Sequence, residues 1–373
     1  MNAPADQRRM LADSVAQFCA REHGEARVRA CRDREPDFDR EVWARAAGLG
    51  WLGIVVPEAD GGLGLGFGDL AQVLGPWGAA CAPEPLTAVG VLAGRTLVHA
   101  DGPARDRLLH RIVGGDLLAA LGWADAGGEM RPLRAASRPG RYVLDGEARF
   151  VVPADADGWL VYGGEAPQDA IFWVEAGTPG LRVERERRAD GSGAAWLRLD
   201  GVTVAASDLV ATPGRGAVVL ERAVDEARIA LALEMAGMMR KMLDLTLEYL
   251  RTRVQFGKPI GSFQALQHRA VDLYVDCELA HDVASAAAQA ADGGAAGVEL
   301  SLWASRAKAR CADALARTSR EAVQLHGAIG FTDEYALGRY VNRALVHCAW
   351  LGGADAMRRR YAALAPAFES ELP

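Results

Sequence analysis

Paired cysteines are missing from this 373-residue chain. Cys19, Cys31, Cys81, Cys277, Cys311 and Cys348 stand alone, with no CxxC among them. Neither a zinc site nor a disulfide framework is expected, and no metal. An excess of positive charge is missing too. The formal charge is −7, which gives no blanket attraction to nucleic acid or anionic lipid and makes any phosphate site a local matter. No uninterrupted apolar run reaches membrane length. The opening residues MNAPADQRRM lack the apolar core of a signal peptide, so a cytoplasmic protein without a membrane span is expected. The glycine-rich GGLGLGFG also fails as a dinucleotide fingerprint. A G-x-G-x-x-G frame from Gly62 ends on Phe67, and one from Gly64 ends on Asp69; no strand–turn–helix unit surrounds either.

What is present is an ordinary globular composition, 50% hydrophobic and 24% charged, in a chain too long for one core. Three textures follow one another, and they predict a mostly α, α+β protein with domains over 1–116, 117–212 and 213–373. The first is helical. LADSVAQFCAREH and DREVWARAAGLGWLGI space apolar residues at three and four, with the glycine-rich loop and a last helical run near Leu92 to Ile112 behind them. In the second, short alternating runs such as RYVLDG, ARFVVP, GWLVYG and AIFWVEA replace the helical period. Asp145-Gly146 and Asp200-Gly201 read as hairpin signals, and a small antiparallel sheet of five to seven strands is expected.

The third texture is helical again. Ile229, Leu233, Ala236, Met239, Leu243, Leu247 and Leu250 form one stripe; Leu266, Ala270, Leu273, Cys277, Ala280 and Ala284 form a second. A third runs through Leu300, Trp303, Ala307, Cys311, Ala314, Thr318, Ala322 and Leu325. Such stripes suit a bundle of long antiparallel helices, here four. Glycines at 293, 294 and 297 mark one turn, and FGKPIG, residues 256–261, marks another.

That second turn and its flanks, RTRVQFGKPIGSFQALQHRAVDL, resemble a signature of the acyl-CoA dehydrogenase family. VQLHGAIGFTDEYALGRYVNRA resembles the family's second signature, and VPEADGGLGLGF its N-terminal substrate-loop segment, which suggests a flexible loop at those glycines. The order of helices, small sheet and four-helix bundle is similar as well. The resemblance implies FAD as cofactor, an acyl-CoA thioester as substrate, desaturation between its α and β carbons, and a dimer or tetramer. It implies that the turn grips the FAD of a neighbouring subunit. Arg253 would pair with the pyrophosphate, its planar fork matching phosphate oxygens. Phe256 would pack on the nucleotide, Gln255 and Gln264 would supply hydrogen bonds, and Gln324, Gly327 and Ala328 would hold the adenosine end. Outside those motifs, each of these residues has an ordinary explanation: an arginine at a helix end, a glycine stop, and His326 as a satisfied helix-end histidine.

The departures from the family pattern cluster. Removing a thioester α-proton calls for a carboxylate in an apolar pocket, yet the two family base positions are Leu351 and Ala227, the latter beside the family arginine, Arg228. Glu226 is one residue away and so about 100° around the helix; it is a weak candidate base, expected rather as a surface or subunit-contact charge. The family's Thr-Glu-Pro and Trp-Ile-Thr segments correspond to Trp123-Ala124-Asp125 and Phe150-Val151-Val152. Groups that would grip a neighbour's FAD are kept, and groups that would serve a flavin ring and substrate in the same subunit are lost. The pattern resembles the base-less subunits of the steroid and dicarboxylyl-CoA branch, whose partner is a homologous dehydrogenase subunit. A self-sufficient homo-oligomer with a relocated base and a non-catalytic scaffold subunit are the alternatives.

Overall fold

The computed structural model describes residues 3–332 and 334–371. Two compact units share the chain: Met1–Ala30, Phe67–Ala82 and Arg228–Pro373 form one, and Cys31–Gly66 with Pro83–Ala227 the other.

The first unit is helical. It holds α1 (Ala3–Glu22) and, past α2 (Glu25–Arg32) and α3 (Arg40–Gly48), α4 (Phe67–Ala80). After α5 (Gly94–His99) and α6 (Arg105–Val113) of the other unit comes α7 (Gly216–Thr252), which belongs to the helical unit from Arg228 onward. Then follow α8 (Gln264–Asp292), α9 (Gly297–His326), α10 (Leu337–Ala349) and α11 (Ala354–Glu371). The apolar stripes of α7, α8 and α9 lie in the core, with Leu247, Leu266 and Trp303 half-buried at its margin. Gly294, at φ 93°, and Gly297, at φ 52°, turn the chain between α8 and α9 with backbone angles that side chains resist. Just before that turn, Asp292 accepts hydrogen bonds from the Phe67 and Gly68 N–H groups, at 2.6 and 2.9 Å. A remote carboxylate thus caps the first turn of α4, where the helix dipole favours it.

Close approach of α4 and α7 depends on two glycines. A Cβ on Gly78 would stand 2.1 Å from the Glu234 carbonyl oxygen, and one on Gly237 would stand 2.0 Å from that of Gly75. Gly237→Ala is therefore expected to lower stability by about 1–3 kcal/mol, read as a drop in thermal midpoint. Gly75→Ala, whose Cβ would meet nothing within 4 Å, should leave the midpoint level or raise it.

The second unit carries eight strands: β1 (Ala119–Gly122), β2 (Arg134–Arg138), β3 (Arg141–Val151), β4 (Gly158–Gly163), β5 (Ala170–Glu175), β6 (Leu181–Arg187), β7 (Gly193–Ala205) and β8 (Leu209–Ala211). They form two four-stranded sheets, ordered β1-β4-β5-β8 and β2-β3-β7-β6. The expected five to seven strands in one antiparallel sheet thus need correcting. The chain leaves the first sheet after β1 and returns at β4, which sets β1 and β4 side by side and parallel. Alternate residues of both sheets, among them Leu144, Trp159, Phe172, Leu197 and Val202, fill one apolar core.

Neither Asp-Gly pair makes a hairpin. RYVLDG and ARFV are one strand, β3, and Asp200-Gly201 lies inside β7. The two pairs face each other where the register slips between Leu144 and Gly146. Gly146 has φ 132° and Gly201 φ 62°, and Asp145 accepts the Gly201 N–H at 2.7 Å. The dipeptides supply the positive φ of a bulge instead of a turn. The β2–β3 and β6–β7 hairpins turn instead at Gly140, φ 72°, and Gly191, φ 86°.

Candidate functional site

Helix α7 ends at Thr252, and the chain folds into a two-stranded hairpin of β9 (Val254–Gln255) and β10 (Lys258–Pro259) before α8 begins. Phe256 and Gly257 are its central pair, at φ 53° and 79°, as a tight hairpin of this twist requires. Glycine meets that demand freely; a phenylalanine there is strained. The Phe256 ring is also 91% exposed, touching Phe263 edge-on at 6.1 Å. A strained backbone holding a large aromatic in solvent is costly within one chain, and such strain gathers at binding sites. The base of the hairpin is fixed by the Ile260 N–H donating to the Arg253 carbonyl, 2.8 Å. Around it stand the exposed side chains of Arg253, Gln255 and Gln264, none with a hydrogen-bond or ion-pair partner among the described residues.

At the same end of the bundle as the hairpin, α9 ends at His326, beside Tyr249 of the last turn of α7. This histidine is buried, as a satisfied helix-end residue: Nδ1 donates to the Ala322 carbonyl at 2.7 Å, and the ring stacks on Tyr249 at 4.6 Å and lies 3.3 Å from the Tyr335 hydroxyl. Burial holds its pKa below the ordinary range. Beside it, Gln324, Gly327 and Ala328 line a cavity of about 790 Å³ together with Arg320, Phe331 and Leu345. The structure brings these three predicted residues together. Arg253, Gln255, Phe256 and Gln264 do not line that cavity and present themselves on the hairpin instead.

The two residues that the resemblance sets at the base positions, Ala227 and Leu351, are both enclosed and both apolar. Ala227 is fully buried and Leu351 nearly so. Leu351 has φ 60° and Gly352 φ 102°, and the Leu351 carbonyl accepts from Arg228 Nε at 2.9 Å. One turn earlier, Lys308 Nζ donates to the carbonyls of His347 and Cys348, at 3.0 and 3.1 Å, closing the C-terminus of α10. Burial pushes the Lys308 ammonium down to about 8. Sequence reading missed Lys308, because a lysine in AKARCADALA looks like the solvated face of a helix. Two buried cations thus hold the backbone around a position whose own side chain can take no proton.

Residues 5–116 match the family profile described as Acyl-CoA dehydrogenase, N-terminal domain, and residues 214–365 match Acyl-CoA dehydrogenase, C-terminal domain. A relative from Mycobacterium tuberculosis, Acyl-CoA dehydrogenase IpdE2, is 31% identical over 91% of this chain and 92% of its own. The chain belongs to the acyl-CoA dehydrogenase family. Membership brings an acyl-CoA dehydrogenase oxidoreductase activity and FAD as the cofactor. Among solved structures, a chain of a variant of the Tcur3481-Tcur3483 steroid ACAD is similar at TM-score 0.89 and 28% identity, covering 98% of this chain and 99% of that one. A chain of the ChsE4-ChsE5 complex from Mycobacterium tuberculosis is similar at TM-score 0.88 and 27% identity, covering 98% of each. Among the described residues no helix is long and apolar enough to cross a membrane.

The hairpin fits FAD in the chemistry it offers. Arg253, Gln264 and Gln324 present a cation and two amides whose side chains have no hydrogen-bond or ion-pair partner among the described residues. A Cβ on Gly257 or Gly327 would meet nothing within 4 Å, which leaves backbone open to a ligand's approach. The segments that the resemblance sets beside the flavin ring, Trp123-Ala124-Asp125 and Phe150-Val151-Val152, make contacts of their own. Asp125 Oδ1 accepts the N–H groups of Gly127 and Glu129, at 2.8 and 3.2 Å, making its own turn. Phe150, at φ 59°, sits in the irregular stretch of β3 between Ala148 and Val151 under the Arg149 guanidinium.

Glu226 is where the sequence expectation fails most clearly. It is not a surface charge: its side chain is 3% exposed. Arg95 grips it with two bonds, Nε to Oε2 at 2.6 Å and Nη2 to Oε1 at 2.9 Å. His99 Nε2 lies 2.9 Å from Oε2, and Arg222 Nε 3.3 Å from Oε1. Burial alone would raise its pKa, but the bonds from Arg95 and His99 prevail and hold it at about 2. His99 is itself held below the ordinary histidine range, because its burial and the Arg95 charge outweigh the carboxylate. At neutral pH the cluster is therefore a carboxylate against an arginine, with a neutral imidazole donating. A carboxylate with a pKa near 2 is a poor base. Arg95 Nη1 also donates to the Val55 carbonyl at 2.6 Å. The glycine-rich loop beyond Val55 is no free loop either. It doubles back, with the N–H groups of Leu63, Gly64 and Leu65 donating to the carbonyls of Gly53, Val56 and Ile54.

Proposed function

We propose that this chain is the base-less subunit of a hetero-oligomeric acyl-CoA dehydrogenase, completing the FAD site of a homologous subunit that carries the base. One observation carries the reading: Leu351 and Ala227 are sealed and apolar, while the Phe256 hairpin stands out in solvent with its ring 91% exposed. In this reading Arg253 neutralises the diphosphate and Phe256 covers the nucleotide. Gln255 and Gln264 donate or accept beside them, and Gln324, Gly327 and Ala328 frame the adenosine end. FAD, when bound, supplies the acceptor for the β-hydrogen of the acyl-CoA thioester; the carboxylate that takes the α-proton belongs to the other subunit. The resemblance to chains from the steroid ACAD and ChsE4-ChsE5 structures supports a partner of the same family. A relocated base at Glu226 is disfavoured by its pKa of about 2 and by its arginine clamp.

Flavin content decides. The chain purified alone is expected to hold far less than one FAD per polypeptide and to leave an acyl-CoA unoxidised. Co-expressed with a base-carrying homologue, it should yield a mixed assembly with fewer flavins than chains. Stoichiometric FAD and acyl-CoA oxidation by the chain alone would exclude the proposal.

A further inference from the structure

Three rings meet where the hairpin and the turn at the end of α9 come together. Tyr249 lies in the last turn of α7, His326 ends α9, and Tyr335 stands in the connection to α10. The imidazole stacks on Tyr249 with centroids 4.6 Å apart and planes 26° from parallel. Tyr335 lies 5.0 Å from the imidazole and, edge-on, 6.4 Å from Tyr249. Because His326 Nδ1 donates to the Ala322 carbonyl, Nε2 of the neutral ring is the acceptor that faces the Tyr335 hydroxyl. Leucine would fill such a volume at less cost, since a buried imidazole must give up water. Rings, unlike leucine, prefer particular angles to one another and so fix the orientation of the segments that carry them.

Backbone ties each side of the stack to a residue of the proposed FAD clamp. The Arg253 N–H donates to the Tyr249 carbonyl at 2.9 Å. On the other side Gly327 follows His326 directly, at φ 67°, and its N–H donates to the Val323 carbonyl. The turn then folds back over the histidine: a Cβ on Gly330 would stand 3.2 Å from the His326 Cβ. Arg253 is thus one helical turn from one ring, while Gln324 and Ala328 flank the other.

We infer that the Tyr249–His326 stack makes a single element of the hairpin and the 324–328 turn, so that a ligand ordering one also orders the other. The inference rests on the flavin reading, with Arg253 at the diphosphate and Gln324, Gly327 and Ala328 at the adenosine end. Tyr249 and His326 are positioning residues that act through those groups. Contact groups on two separate helices hold one dinucleotide well when their spacing is set beforehand, because ordering each of them on binding costs affinity. Coupling through a shared element is also reciprocal. A ligand that engages only the diphosphate side must tighten binding on the adenosine side, and by the same factor as the reverse.

Inorganic pyrophosphate and adenosine probe the two halves separately. On the deflavinated mixed assembly, saturating adenosine is expected to tighten pyrophosphate binding about fivefold, and pyrophosphate to tighten adenosine binding equally, both read by calorimetric titration. Amide hydrogen exchange should agree, with pyrophosphate slowing exchange over 326–331 and adenosine over 254–260. Tyr249→Leu removes the ring and should abolish the coupling, raising the FAD dissociation constant about three- to tenfold. Tyr249→Phe keeps the ring and should keep both values, since the Tyr249 hydroxyl makes no hydrogen bond among the described residues. Thermal midpoints of the two variants show whether Tyr249→Leu retains the fold, and the wild-type coupling is measured without any variant. Pyrophosphate and adenosine that bind the wild type independently overturn the inference, and so does a folded Tyr249→Leu assembly that keeps the coupling. If Arg253→Ala weakens FAD and pyrophosphate but no coupling is found, the flavin reading stands and the stack alone is refuted. If Arg253→Ala and wild type bind pyrophosphate alike, the flavin reading fails first and this inference falls with it.

Discussion

Arg253→Ala is expected to remove most of the FAD from the mixed assembly while leaving the fold of this chain intact. The guanidinium sits on an exposed hairpin and makes no hydrogen bond or ion pair with the described residues, so its loss should shift the thermal midpoint of the isolated chain by less than about 0.5 kcal/mol equivalent. Paired with a diphosphate it would form charge-assisted, two-pronged bonds, and deleting such a group costs about 2–5 kcal/mol of binding. That corresponds to a rise in the FAD dissociation constant of roughly 30- to 4000-fold. Arg253→Lys keeps the charge and loses the fork; it should recover only part of the affinity. Fluorescence titration of the deflavinated assembly with FAD, at two salt concentrations, measures all three. Salt matters because the wild-type affinity should fall with ionic strength more steeply than that of Arg253→Ala. Equal FAD affinity in wild type and Arg253→Ala would sink the assignment, whatever the assembly state.

The helical half of the fold was legible because its signal is local. Stripes such as Leu300, Ala307, Cys311 and Ala314 repeat at the helical period, and a core selects for that period directly. The hairpin at 253–261 was legible as a break, through Gly257, Pro259 and Gly261, and its function only through the resemblance. The sheet was harder to read. Asp145-Gly146 and Asp200-Gly201 supply positive φ, and sequence alone does not say whether a turn or a bulge takes it up. That depends on which strands pair across the two dipeptides, a matter of register over some fifty residues. Glu226 was misread for a related reason. Its partners Arg95 and His99 lie about 130 positions earlier, and nothing near Glu226 in the chain distinguishes a clamped carboxylate from a solvated one. Lys308 was hidden likewise, since the carbonyls it caps belong to α10. Buried charges are the residues that local pattern describes least well, because burial is decided by distant segments and the compensating charge comes from them too.

Glu226→Gln is expected to cost about 3–5 kcal/mol of stability. Arg95 is largely buried, 12% exposed, and always protonated; removing the carboxylate takes away the counter-charge that meets two of its nitrogens. The acid limb of the stability curve gives an independent reading. Glu226 titrates at about 2 in the folded chain against 4.5 for the free side chain. A depressed carboxylate stabilises the fold in full above the unfolded value and loses that contribution as the pH falls through the window from about 5 to 2. The difference corresponds to roughly 3 kcal/mol. Wild type should therefore lose thermal stability across that window, and Glu226→Gln should start lower and decline less. The double variant Arg95→Met/Glu226→Leu removes both charges and replaces them with apolar volume. It should recover a large part of the lost midpoint, because a buried ion pair and a well-packed apolar pair are often close in energy. The three midpoints, taken at one scan rate from pH 7 to pH 3, separate a structural clamp from a catalytic carboxylate. A base would leave stability nearly unchanged on amide substitution and would abolish acyl-CoA oxidation instead. If Glu226→Gln keeps its melting midpoint and its acid profile, the clamp is wrong, and position 226 must be reconsidered as the group that takes the proton.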